Sequence, residues 1–112
     1  MSNKLNKKLE FLEKNIFVNL KNINNGFDSE SIFYFSESDF EIILKRVENY
    51  GLGIYGIEPW FEDDFYDVLV CEEYNLSPND SRWYKKAFSK FKNEKKNLQY
   101  SATFQIPKKL LK

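Results

Sequence analysis

Five carboxylates and four aromatic rings fall within the ten residues Glu58-Pro59-Trp60-Phe61-Glu62-Asp63-Asp64-Phe65-Tyr66-Asp67. Carboxylates at such spacing can do three things. They can hold a hard cation such as Mg²⁺, which takes oxygen ligands. They can offer a negative surface to a cationic partner. They can also be nothing more than a solvated connection. The segment lacks the alternating acids and central glycine of a calcium loop, and no Lys or Arg occurs in residues 47–81 to hold a phosphate beside a metal. Trp60 and Phe61 have two readings as well. They either plug the core or stand out as anchors, since aromatic rings dominate interface hot spots.

Other chemistry is narrowed by what the chain does not contain. There is no histidine, which removes Ser-His-Asp and Cys-His catalysis and histidine-based zinc sites. The single cysteine, Cys71, can form neither a thiolate zinc cluster nor an internal disulfide. Placed in an apolar run, it reads as a buried structural thiol in a reducing compartment. Neither GxxxxGK[ST] nor GxGxxG is present, so no phosphate-cradling loop is expected. No cofactor, metal or catalytic residue is assigned.

The elements that must position the acidic stretch are legible from periodicity. A chain of 112 residues fits one domain, residues 1–112, with residues 107–112 as a basic tail. Leu5, Leu9, Leu12, Ile16, Leu20 and Ile23 share one helical face, ending at Asn24-Asn25-Gly26. Phe17-Val18 is a candidate break within it. Ile32–Phe35 reads as an edge strand or the approach to a helix. A second helix is expected from a capping box at Ser38-Asp39-Phe40-Glu41, with Phe40, Ile43, Leu44 and Val47 as its apolar stripe and Gly51 as its stop. Strands are expected over residues 53–58 and 65–72, the first ended by Pro59, so that the acidic stretch is mostly the connection of a β-hairpin and its acids project from one end of the sheet. Ser77-Pro78 signals a third helix, with Trp83, Ala87, Phe88 and Phe91 inward. Residues 98–106 alternate apolar and polar, the pattern of a half-buried strand closed by Pro107. The order α-α-β-β-α-β predicts an α+β fold, a two-layer α/β domain in which about three helices pack a sheet of three to four strands.

Zero net charge conceals a segregation. Residues 47–81 carry nine acids and no base, while residues 82–112 carry ten bases and one acid, Glu94. Such asymmetry governs association rather than fold. The Lys-rich helix 82–96, interleaved with Trp83 and Tyr84, could alternatively bind nucleic acid, although the acidic segment would repel phosphate. No apolar run approaches the ~20 residues needed to span a bilayer, and the charged N-terminus lacks the apolar stretch of a signal peptide. A cytoplasmic protein is expected, and the abundance of Lys and Asn points to a bacterial source.

Three segments, FSESDFEIILKRVENYGLGIYGIEPW, CEEYNLSPNDSRWYKKAFSKFK and LQYSATFQIPKKLL, together resemble the immunity proteins of bacterial contact-dependent growth inhibition, in the group that neutralises ribonuclease toxin domains. The resemblance covers about residues 34–112. It implies a cytoplasmic inhibitor, encoded beside its toxin, that binds the toxin's C-terminal nuclease domain at or near the active site and performs no chemistry itself. It carries no set of contact residues. Those expected from the residues alone are Glu58, Trp60, Phe61, Glu62, Asp63, Asp64 and Asp67, with the acids attracting a basic cleft and the rings holding it.

Overall fold

A computed structural model describes residues 3–111, with side-chain surroundings from residue 7 onward. The chain is an α+β domain. Three helices, α1 (Asn3–Phe11), α2 (Glu37–Tyr50) and α3 (Ser81–Glu94), accompany a four-stranded antiparallel sheet. Strand β1 (Gly53–Phe61) is its axis. Along one side it pairs with β4 (Gln99–Gln105), and along the other with β2 (Asp64–Phe65) and then β3 (Leu69–Val70). Helix α3 lies over β1 and α2 over β4, with the end of the first helix against α2.

Local chemistry explains the boundaries, including several that depart from the sequence expectation. The first helix does not reach Ile23. It widens to a π-turn at Leu12–Ile16 and stops at Phe17. The stop agrees with the break signalled at Phe17-Val18. Phe17 leaves the helix to stack on Phe33 at 5.1 Å and to meet Phe35 at 4.9 Å. The Arg46 guanidinium holds the new path by donating to the Ile16 and Val18 carbonyls. The Leu5 side chain lies outside the described residues. Ile32–Phe35 is not a strand; Phe35 alone bridges Tyr100 of β4.

Helix α2 starts two residues earlier than the expected box. Ser36 caps it, its hydroxyl accepting from the Asp39 amide at 3.3 Å, an interaction whose loss costs about 1 kcal/mol at a typical cap. Gly51 ends it in the left-handed region, φ 72°, where a residue without Cβ avoids the steric penalty. Helix α3 is capped by Asp80 rather than Ser77. The Asp80 carboxylate accepts from the Arg82 backbone and also pairs with its guanidinium. That guanidinium holds the Asp80 carboxyl down at about 2.

Pro59 does not end the first strand. Its carbonyl accepts from the Tyr66 and Asp67 amides, so its ring nitrogen faces the gap between β2 and β3, where no ladder donor is needed. The expected strand over 65–72 is accordingly broken into two short pieces. Cys71 is buried as expected, but it opens a 3₁₀ turn, Cys71–Tyr74, instead of lying in a strand. Residues 108–111 likewise form a 3₁₀ turn, whose Leu110 and Leu111 pack on the core, so this part of the chain is not a loose tail.

The core lies between the sheet and the helices. Phe40, Ile43, Leu44 and Val47 from α2 and Trp83, Ala87, Phe88 and Phe91 from α3 are all buried there, as their spacing predicts. Tyr100 stacks on Phe40 at 5.0 Å and takes the Phe88 ring edge-on at 5.1 Å. The Trp83 indole donates to the Ile54 carbonyl at 3.0 Å, fixing α3 to β1.

Candidate protein-docking site

The acidic stretch connects a β-hairpin, as expected, but the strands run further into it and the turn is tighter. Trp60 pairs with Phe65 and Phe61 with Asp64, leaving a two-residue turn of Glu62 and Asp63. Both turn residues have positive φ, 49° and 68°, the geometry that matches strand twist in tight hairpins. Asparagine and glycine normally supply it. For Glu62 the left-handed conformation costs on the order of 1–2 kcal/mol. Reciprocal bonds from β4 offset this. The Asp63 amide donates to Gln99 Oε1 at 2.9 Å, and Gln99 Nε2 donates to Asp63 Oδ1 at 2.8 Å.

Strand alternation divides the expected contact residues. Trp60 and Phe61 are consecutive in β1 and so point to opposite faces of the sheet. Phe61 is half-buried on the helix side, with Lys95 Nζ 4.2 Å from its ring centroid. Trp60 lies on the other face, half-buried between Phe27 and Tyr34 at 5.6 Å each, and its indole donates to Glu58 Oε2 at 2.8 Å. Tyr34 is wholly buried there, and burial together with its bond to Asp28 pushes its hydroxyl well above the usual range. Both rings of the expected pair are therefore engaged internally.

Glu62, Asp63 and Asp64 are exposed at the hairpin tip, and Asp67 lies beyond it, accepting from the Val68 amide. None of these acids, nor Glu58, forms an ion pair among the described residues. The pairs that do form are Arg82–Asp80, Lys85–Glu48 and Lys90–Glu94. Of the lysines of α3, Lys85 is thus directed to α2 and Lys90 to α3 itself, and Lys92 lies over Phe88 at 4.6 Å. Trp83 and Tyr84 are buried, leaving α3 without a ring from this pair to stack on a base. Among the described residues no three His, Cys, Asp or Glu side chains converge as metal ligands. None of their helices is long and apolar enough to cross a membrane.

The residues missed in the sequence lie on the sheet face that the helices leave uncovered. Tyr55, at a bulge between Ile54 and Gly56, is 45% exposed, and Phe65, across from Trp60, is 55% exposed. Val68 and Ile32 are exposed nearby. A cleft of about 730 Å³ opens here, with Ile32, Tyr55, Glu58, Val68, Val70 and Thr103 in its walls, and it continues past the sheet edge to Leu9 and Leu12 of the first helix and to Phe17. Phe65 could have been found by pairing it with Trp60 across a two-residue turn. The bulge that turns Tyr55 outward left no comparable mark. No family model matches the chain, and comparison with curated proteins and with solved structures finds no significant match.

Proposed function

We propose that the chain is an immunity protein: it binds a cognate bacterial toxin nuclease domain, of the ribonuclease kind, and neutralises it by covering the active site. The observation that carries this reading is the hairpin tip, where Glu62, Asp63 and Asp64 are exposed without a cationic partner among the described residues. A ribonuclease must bind phosphate, so its cleft is positive. Carboxylates can occupy the phosphate positions and exclude RNA. Opposite charge raises association from a neutral ~10⁵–10⁶ to as much as ~10⁸–10⁹ M⁻¹s⁻¹ at low salt. Speed matters because one free nuclease cuts many RNA molecules. The resemblance of residues 34–112 to immunity proteins supports the same assignment. It implies a cytoplasmic bacterial binder that performs no chemistry itself.

The test is inhibition of RNA cleavage by a nuclease domain encoded beside this chain; the lack of any such domain in the neighbouring reading frames would itself remove the proposal. Cleavage should stop at one inhibitor per nuclease. Undiminished cleavage at tenfold excess would remove the proposal.

A further inference from the structure

Steering by the tip leaves open what holds the partner once it arrives. Charge gives on-rate and register more than lasting affinity; slow dissociation comes from a few desolvated anchors. The rings first expected in that role, Trp60 and Phe61, are already packed against Phe27 and Tyr34 or beneath Lys95. We infer that the uncovered sheet face is the affinity-determining surface, with Phe65 and Tyr55 as apolar anchors and Glu58 as the receptor for one lysine or arginine of the partner. This inference rests on the proposed function.

Three observations converge on it. First, large exposed apolar side chains gather on this side: Ile32, Tyr55 and Val68 line the cleft and Phe65 stands at the hairpin end of the same sheet face, across from Trp60, whereas isolated exposed hydrophobics need no explanation. Second, the segments that build the face, residues 22–35, 53–72 and 99–105, contain no Lys or Arg at all. The first carries two acids and the second six. The charges that these segments themselves carry are all negative around an apolar middle, which fits a basic protein surface and repels nucleic acid; the lysines of the first helix, which lends Leu9 and Leu12 to the cleft, lie outside them. Third, Glu58 stands in the cleft wall between Tyr55 and Val68, with one carboxylate oxygen held by Trp60. Its second oxygen has no hydrogen-bond partner among the described residues. A partner's basic side chain can lay its aliphatic stem along Tyr55 and Val68 while its charged end reaches that oxygen. Continuity with the tip completes the picture, because Phe65 directly follows Asp64 on β2.

The experiment measures binding of the nuclease domain encoded beside the chain to the full chain and to Phe65→Ala, Tyr55→Ala and Glu58→Gln. All three positions are at least partly exposed, and Gln at 58 keeps an acceptor for the Trp60 indole, so thermal stability should not change. Each alanine variant should speed dissociation by about tenfold or more, as hot-spot rings do. Glu58→Gln should weaken binding by about fivefold, the loss of one moderate interface contact. Ile42→Ala and Tyr50→Ala, exposed on the helix side, should leave dissociation unchanged. If the wild-type chain binds and all three face variants dissociate like it, the face assignment fails while the immunity reading stands. If the wild-type chain does not bind, both fail. If Phe65→Ala splits a dimer of the chain without touching nuclease binding, the face belongs to a second copy and the inference is overturned.

Discussion

The two sides of this molecule handle charge and aromatic surface in opposite ways. On the helix side most aromatic rings are inside, Tyr50 excepted, and several lysines are occupied. Phe40, Phe88, Phe91 and Tyr100 fill the core, while Lys85 and Lys90 meet Glu48 and Glu94, and Lys92 and Lys95 cap rings with their charged ends. On the open sheet side Phe65 and Tyr55 face solvent and the acids of the hairpin tip have no cationic partner among the described residues. A basic helix that looks like a binding surface in sequence is largely serving the fold. The acidic segment, which resembles an ordinary connection, is the part with unsatisfied valence. The lesson is that partners are sought where side chains have no internal task.

The comparison is broken most sharply by removing one ring from each side. Phe40→Ala, which empties a buried site, should cost about 3–5 kcal/mol of stability. Phe65→Ala should stay within about 0.5 kcal/mol, as surface substitutions do. Chemical denaturation measures both, and similar losses would mean that Phe65 is structural. Next in size is the charge at the tip. Glu62→Gln, Asp63→Asn and Asp64→Asn together should slow association with the nuclease domain by about 10–100-fold at low salt, with the difference shrinking as salt rises. Stopped-flow rates across salt concentration read this out, and a rate insensitive to the three changes would detach the tip from docking. The smallest effect separates backbone strain from charge. Replacing Glu62-Asp63 by Asn-Gly should raise stability by up to about 1 kcal/mol, because that pair suits a turn with two positive φ angles. It also removes two carboxylates, so association should slow even as the fold becomes firmer.

Much of this arrangement was legible in the sequence, and the failures have local causes. The stripe of α2, the inward face of α3 and the alternation of β4 follow from burial periodicity, which tertiary contacts reinforce. Boundaries set by competition among nearby polar residues were not legible. Ser36 and Ser38 both precede the same apolar stripe, and Ser77 competes with Asp80; geometry chose Ser36 and Asp80. Pro59 was read as a stop because a proline usually loses a ladder bond, yet here its nitrogen faces a gap in the sheet. The hairpin was expected but not its tight turn, because Glu-Asp is not the usual chemistry of a two-residue turn, and the stabilising Gln99 lies 36 residues away from Asp63. For the site, the acids were expected to project from one end of the sheet, and Glu62, Asp63 and Asp64 do so, while Glu58 and Asp67 are only partly exposed. The rings were not resolved, since a strand's alternation assigns Trp60 and Phe61 to different faces only once its register is known.

Hydroxyl-radical footprinting of the chain with the nuclease domain encoded beside it tests the account most directly, because each side carries a comparably exposed ring: Tyr55 and Phe65 on the sheet face, and Tyr50, 43% exposed, on the helix side. Complex formation should protect Tyr55 and Phe65 from oxidation and leave Tyr50 as reactive as in the free chain. Protection of Tyr50 with Tyr55 and Phe65 unchanged would contradict the account.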